Sequence, residues 1–511
     1  MIIMKQWNKK LNLHPVMIFL ILTGLTIILS GVLNLLDINE QVYHVNSSTL
    51  EYSVELVSVL NLFSLSGFKY IFSETVANFV NFTPFSTFII VLIGFGVMEA
   101  SGFLKSFITL ITKKMKKNVV TFLIVFLSII GSFMGDISFV IMMPLSALIF
   151  KYGRRNPVIG IVASFAGLCC GQGLSLWYTS VDSTLLSSSL AAARVIDAEY
   201  RMASISGLFL MFVSAIVLSI VIVNVTEKNI ALKVGKIETT EEEEFKLGKK
   251  ERRGLMFSAL AALAYFLFFL YNIIPGLPFS GKLLDNSQLL YVDKLFNYNS
   301  FFSNGFVFIV TFFFVILGLF YGMGAKTITS NKEFVESLAY SLDDIGGSII
   351  LIFVASLFIS VFKYSNIGTV LVAILASFIR SVNFQGIPLI LLLFVVSIIS
   401  TFILPGTVSK WAILSPIVVP VFMNAGITPE FSQIIFRLGE GVSFGLTPLM
   451  SYFVIYLAIM MKYNKDMDSP MYESIKYQVP YSIATLLCFA VIIVLWYVVG
   501  LPLGINGVPV L

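Results

Sequence analysis

Runs of about twenty apolar residues, separated by short clusters of lysine and arginine, recur from one end of the 511-residue chain to the other. A run of that length crosses a hydrocarbon core of about 30 Å as a helix. Basic residues gather before residue 12, at 113–117 (KKMKK), at 151–155 (KYGRR), through 227–253, at 326–332 and at 462–465. Such clusters mark cytoplasmic ends. The uncharged or mixed segments near 37–83, 191–203, 275–303 and 424–430 then lie outside. Threading helices between the two sets predicts nine crossings: 15–36, 84–106, 157–190, 204–225, 254–274, 304–324, 344–363, 431–460 and 479–499. The amino terminus falls inside and the carboxyl terminus outside. Pro15 to Leu36 is too long for a signal h-region and lacks a small-residue cleavage site, so it reads as a retained helix.

Two stretches resist threading as single crossings. Val119–Phe150 has basic clusters on both sides, so it turns back on itself, and arms of about fifteen residues at 1.5 Å each span poorly. Its tip reads GSFMGD (Gly131–Asp136). Ile387–Met423 lies between NFQG and NAGITPE, both without basic residues, and reads as a second hairpin entering from outside. Its tip opens LPGTVSKW and its second arm carries Pro416 and Pro420.

The halves align in order. SGFLKSFITLITKKMKKN answers SNIGTVLVAILASFIRSVN; Gly135-Asp136 answers Gly406-Thr407; Pro144 answers Pro416. Asn156-Pro157 and the loop from Asn424 to Pro429 each lead into a helix interrupted by glycine and polar residues, GLCCGQGLS and RLGEGVSFGLTP. The expected fold is an all-α polytopic membrane protein of about nine transmembrane helices plus two re-entrant hairpins in an inverted-topology repeat. Residues 1–225 form the first repeat, with a hairpin at about 119–150. Residues 226–253 form a charged cytoplasmic linker, and 254–511 the second repeat, with a hairpin at about 387–423. Inverted repeats with discontinuous helices are the architecture of secondary transporters, whose sites form where broken elements meet near the midplane. Non-helical backbone at membrane depth survives only where it lines a cavity or packs in protein, and its free N–H groups attract anions.

Composition supports the class: 58% of residues are hydrophobic and 12% charged, against about a quarter charged in soluble domains. Two histidines are too few for a metal centre, and the adjacent Cys169 and Cys170 in an apolar segment read as free thiols. The net charge of +5 resides in short loops, which points to membrane orientation rather than a nucleic-acid partner. No phosphate loop, GxSxG elbow or HExxH helix occurs, so the chain is not read as an enzyme or an ATP-driven pump.

Ionisable groups inside a membrane are functional candidates by default. Arg437 and Glu440 are neighbours on one helical face; the arginine either grips a substrate carboxylate or pairs internally with Glu440. Trp411 either stacks on an aromatic ring or packs the hairpin, beside tip residues Thr407 and Ser409. Asp182 is either a protonatable coupling site or a helix cap. Asp136 caps the second arm of its hairpin or contacts the ion or substrate. Lys410 is expected to snorkel to the interface. Glu99, Asp343 and Asp344 are expected to be solvated near cytoplasmic ends, and Trp177 to pack or face lipid.

At LHPVMIFLIL, NFTPFSTFIIVLIGFGVMEASGFL, GDISFVIMMPLSALIF, VDSTLL, SKWAILSPIVVPVFM, FRLGEGVSFGLTPLMSYF and WYVVGLPLG, the sequence resembles the AbgT family of p-aminobenzoyl-glutamate transporters. The resemblance implies a homodimer of nine-helix subunits, each with two re-entrant hairpins. It implies uptake of p-aminobenzoyl-glutamate, a folate breakdown product, or export of sulfonamide antimetabolites, driven by a proton or sodium gradient. It carries functional roles onto Asp182, Trp411, Arg437 and Pro448. Glu440 stands where the family has Asp, Val408 where a small polar residue is expected, and Pro84 in place of a glycine. The resulting expectation is a secondary transporter of the bacterial inner membrane, surrounded by lipid. Its substrate is a small molecule and it needs no cofactor beyond H+ or Na+. The rival readings are a dicarboxylate or short-chain fatty acid carrier and an anion channel.

Overall fold

The computed structural model describes residues 13–511 apart from 47–50, 113, 114, 175, 177, 204, 236–244, 246, 290, 297, 298, 344, 465, 466, 468 and 506. The basic cluster before residue 12, Lys113, Lys114, Trp177, Asp344 and the acidic run at 241–244 therefore lie outside the described residues.

The chain opens with α1 (Pro15–Leu35), whose proline stands at its first position while the His14 ring accepts from Val16 N. An antiparallel hairpin follows, β1 (Asn39–Val45) against β2 (Tyr52–Ser58), with Asn39 opposite Ser58. The hydrophobic pattern placed this segment outside without resolving strands in it. Next come α2 (Leu65–Val80), largely exposed with Phe72 and Val76 outward, α3 (Thr83–Ala100) and α4 (Phe103–Thr112). The crossing expected at 84–106 thus stops at Ala100, where Gly102 takes φ +85° and turns the chain.

Two helix pairs then occupy the places read as hairpins and interrupted helices. α5 (Lys117–Gly131) and α6 (Asp136–Tyr152) are joined by a 3-10 turn and by Gly135 at φ 60°, ψ −137°. α7 (Pro157–Gly171) and α8 (Ser180–Arg194) are separated by an eight-residue break, and α9 (Leu208–Val225) continues through a π-helical turn, Thr226–Ile230. α10 (Lys249–Ile273) and α11 (Phe301–Ala325) pack antiparallel; Ser258 Oγ donates to Leu317 O and the Tyr265 hydroxyl to Ile309 O.

The second half repeats the order: α12 (Gly346–Tyr364), α13 (Ile367–Ser381), the pair α14 (Gly386–Ile403) and α15 (Thr407–Asn424), the broken pair α16 (Pro429–Ser443) and α17 (Phe453–Tyr463), and α18 (Pro470–Val499). Local chemistry matches across the halves. α7 and α16 are each fifteen residues long, with a proline at the first position whose missing N–H costs nothing there. Asn156 and Thr428 cap them, accepting from Val158 N and Phe431 N.

Among the described residues nine helices are long and apolar enough to cross a membrane. The number agrees with the expectation, but two members differ. The 18-residue α14 and α15 are long enough on length alone, while α7, α8, α16 and α17 are individually too short. At one end of the molecule Arg155 pairs with Glu227 at 2.8 Å and Arg253 Nε donates to Gly324 O, while Arg194 and Arg380 lie toward the other, against Tyr200 and Tyr43. The opposite end carries the β-hairpin, the Tyr200–Glu430 hydrogen bond and the carboxyl-terminal segment, whose Val508 O accepts from Thr428.

The prolines of α15 find a physical explanation there. Pro420 has no N–H, so the carbonyl of Pro416, four residues earlier, loses its helical donor. The Tyr52 hydroxyl of β2 donates to that oxygen at 3.3 Å.

Candidate functional site

α7 is buried along its whole length, and α16 at every position except Gln433. The two cross at the centre of the molecule so closely that side chains are excluded. A Cβ on Gly173 would stand 2.1 Å from Arg437 O, and one on Gly441 would stand 2.6 Å from Cys170 O. This approach brings Arg437 over the last turn of α7, where its Nη2 donates to Gln172 O at 2.7 Å. A cation at a helix carboxyl end meets both an unsatisfied carbonyl and the favourable end of the dipole.

Charges of alternating sign extend from that point. Arg437 Nη2 lies 3.9 Å from Asp182 Oδ1, and Nη1 lies 3.8 Å from Glu440 Oε2. Glu440 Oε1 is 2.6 Å from Lys410 Nζ, both side chains being fully buried. Lys410 also donates to Thr401 Oγ1 at 2.6 Å. The row Lys410, Glu440, Arg437, Asp182 sums to zero charge, as burial demands. The expectation that Lys410 snorkels is thereby corrected. Its stem points inward because a carboxylate thirty residues downstream awaits it.

Asp182 fills the capping role, one of the two readings the sequence left open, and also faces Arg437. Its carboxylate accepts from Thr179 N at 2.9 Å and from Thr179 Oγ1 at 2.7 Å, closing a capping box on α8, while its other oxygen faces Arg437. Asp136 occupies the first turn of α6 without a side-chain cap bond at that terminus. It is exposed into a cavity, with the Tyr452 hydroxyl against it.

That cavity has a volume of about 610 Å³. It joins the first tip (Ser132, Asp136), the first break (Gln172, Thr179) and Arg437 to an apolar wall from α10 and α11 that includes Phe302 and Phe306. The side-chain oxygen of Gln172 is buried and accepts no hydrogen bond from the described residues. A contiguous space of about 320 Å³, sharing Leu295 and Phe296, is lined by Asp182, Tyr178, Glu430 and Gln433. A third, of about 750 Å³, has Glu99, Asp343 and Lys462 on its wall. Glu99 is thus half-buried in a cavity rather than freely solvated. Thr87 and Phe88, adjacent on α3, line the first and third cavities respectively. Phe139 stacks on Tyr452, with ring centres 5.3 Å apart.

The second tip is placed differently. Trp411 is fully buried: its Nε1 donates to Ser189 Oγ at 2.8 Å, Ser189 donates onward to Gln433 Oε1, and its ring stacks on Phe436 at 4.6 Å. Thr407 is half-buried and Ser409 exposed at the start of α15; Pro448 is half-buried after the 3-10 turn Phe444–Leu446. None of these four lines the three cavities above. The structure therefore gathers Arg437, Asp182, Glu440 and Asp136 around one region and sets Trp411 one hydrogen-bonded side chain behind the wall. Gln172, Tyr452 and Ser189 join the site without having been singled out in the sequence, and Lys410 joins it against the expectation that it snorkels. The only signal available was that Gln172 sits inside the glycine-flanked break.

The model of the family described as "AbgT putative transporter family" matches residues 4–511. The p-aminobenzoyl-glutamate transport protein of Escherichia coli K12 is 27% identical over 450 residues, which is 88% of this chain and 86% of that protein. The solved structure of Neisseria gonorrhoeae MtrF, described as illuminating a class of antimetabolite efflux pumps, is 27% identical and superposes with a TM-score of 0.50, covering 98% of each chain. The Alcanivorax borkumensis YdaH transporter, described as having an unusual topology, is 25% identical with a TM-score of 0.49, over 96% of this chain and 100% of that one. With its family's model matched from residue 4 to the last residue, this chain belongs to the AbgT transporter family.

Proposed function

We propose that this transporter carries p-aminobenzoyl-glutamate or a related aromatic amide carboxylate, bound in the cavity beside Arg437. Members of its family are transporters, not enzymes, and the chain is a multi-pass membrane protein. The carrying observation is that one cavity of about 610 Å³ brings together a guanidinium, a carboxamide oxygen unpaired among the described residues and an aromatic wall. That volume falls within the roughly 300–1,000 Å³ of small-molecule sites. Arg437 would answer a carboxylate with its planar fork, Gln172 Oε1 would accept an amide or aniline N–H, and Phe302 and Phe306 would cover the ring. The rings supply what a short dicarboxylate or fatty acid does not need, so an aromatic substrate is favoured over those carriers.

In this reading both tip-joined pairs, α5/α6 and α14/α15, are re-entrant. The chain divides at the 226–253 linker, two copies form a dimer in a bacterial inner membrane, and an ion gradient drives the cycle. Thr407, Ser409, Trp411 and Pro448 contact substrate when the second tip moves. Asp182, Glu440 and Asp136 are the candidate carriers of the coupling cation, a proton or sodium. Export of antimetabolites is the second reading, supported by the description of the Neisseria relative.

Binding measured on purified protein tests the reading. p-Aminobenzoyl-glutamate is expected to bind and succinate to fail as a competitor. Arg437→Lys, which keeps the charge but not the fork, is expected to weaken binding by about tenfold, the scale of one charge-assisted hydrogen bond. Equal affinity for succinate, or unchanged affinity in the variant, would remove Arg437 and the aromatic preference from the account.

A further inference from the structure

Within the transporter reading above, we propose that Lys410 is a resident cation occupying the place of a coupling sodium ion, and that the coupling ion is a proton taken up by Glu440. The site is made of hard oxygen ligands. A carboxylate oxygen of Glu440 and the hydroxyl of Thr401, each 2.6 Å from one point, are groups that bind small hard cations. The point is already filled by the Lys410 ammonium, which is fully buried and anchored by its own backbone at the start of α15. A tethered cation cannot be transported, so sodium has neither the charge nor the room to enter. The carboxylate remains able to change its proton count.

Of the elements packed on α16, α7 carries only Cys169 and Cys170, and α18 carries Glu473 and Lys476 in its first two turns with Tyr472, Tyr477, Tyr481, Cys488 and Tyr497. From α16 come Glu440, Arg437 and Glu430, the last hydrogen-bonded to Tyr200. From α8 come Asp182, which faces Arg437, and Arg194, which donates to Tyr200 O. α13 contributes only Arg380, against the Tyr43 ring and hydroxyl, and α14 has no titratable side chain. β1 contributes Glu40, which accepts from Ser377, and His44, which faces Glu55; Tyr43 is the partner of Arg380. Glu440 is therefore the one carboxylate shared by Lys410 and Arg437.

The step balances simply. One proton from one side of the membrane adds to the Glu440 carboxylate, giving a neutral carboxyl, while Lys410 keeps its proton and its bond to Thr401. The row gains one positive charge. Arg437 loses the competing carboxylate 3.8 Å away and is released toward an anionic substrate. Loss of the proton to the other side restores the pair. Proton and anion uptake thus favour each other, reciprocally.

The test has an arm that needs no substrate. Thermal melting of the purified wild-type protein is expected to be the same in sodium and potassium chloride of equal ionic strength. Lys410→Ala is expected to melt lower and to regain stability specifically with sodium. A sodium-specific rise in the wild type, or a Lys410→Ala protein that melts like the wild type in both salts, overturns the proposal. The second arm holds if that variant fails to fold. Wild-type affinity for p-aminobenzoyl-glutamate is expected to tighten as pH falls, by up to about tenfold per unit, the limit for one linked proton, and Glu440→Gln is expected to lose that dependence. Affinity that tightens with sodium, or a Glu440→Gln protein with the wild-type pH dependence, overturns it equally. Failure of this substrate to bind under every condition counts against p-aminobenzoyl-glutamate as the substrate instead, since the melting arm stands apart from it.

Discussion

Arg437 is the side chain on which three elements converge: its own helix, the last carbonyls of α7, and the cap of α8. That convergence depends on a position with no side chain. Gly173 lies where any Cβ would overlap the Arg437 carbonyl at 2.1 Å, and the obstacle is backbone, which cannot rotate away. Gly173→Ala is expected to push the two broken helices apart, costing about 1–3 kcal/mol of stability as overpacking does and weakening substrate binding together with it. Melting and binding measured on the same preparation check this; a variant of wild-type stability would show that the crossing is looser than described. Trp411 carries a related lesson. Its Nε1–Ser189–Gln433 chain and its stacking on Phe436 make it part of the wall in this conformation, so contact with substrate requires α15 to shift against α8.

At the scale of elements, the starts of the helices were the most readable part of the sequence. Asn156-Pro157 and Thr428-Pro429 are local signals, because a cap and its proline act within one turn. The glycine-polar tips were equally plain, since φ +60° at Gly135 is a backbone requirement written in one residue. What escaped reading depends on distant partners. Lys410 looks like a snorkelling residue until Glu440 and Thr401 are brought to it, and the β-hairpin of 39–58 has mixed polarity that also fits a loop. The count of nine crossings coincides although its membership shifts, because hydropathy cannot tell an 18-residue arm from a span. The β-hairpin acquires a purpose through Tyr52, whose hydroxyl serves the Pro416 carbonyl that Pro420 leaves without a donor. Tyr52→Phe is expected to lower stability by about 0.5–1.5 kcal/mol, the net worth of one such bond, with faster amide exchange along Val418–Asn424. Unchanged exchange would mean that water or a rearranged turn serves that oxygen as well.

For the whole molecule, the central claim is that one substrate region is approached from two opposite ends. The cavity beside Arg437 is walled by Leu295, Phe296, Phe302 and Phe306, and the 750 Å³ cavity by Glu99, Asp343 and Lys462. Thr87 on the wall of the first and Phe88 on the wall of the second are consecutive residues of α3, which serves as the partition between them. A transporter needs such a partition to open on alternate sides, and an anion channel would need it open throughout. Labelling of single cysteines by a membrane-impermeant thiol reagent tests this most directly, in a background where Cys169, Cys170 and Cys488 are replaced. Ser132→Cys, at the first tip, is expected to react from outside only and to be protected by p-aminobenzoyl-glutamate, while Leu148→Cys, on the third cavity, reacts from the cytoplasmic side only. Labelling of both positions from the same side, or no protection of Ser132→Cys by substrate, would contradict the account.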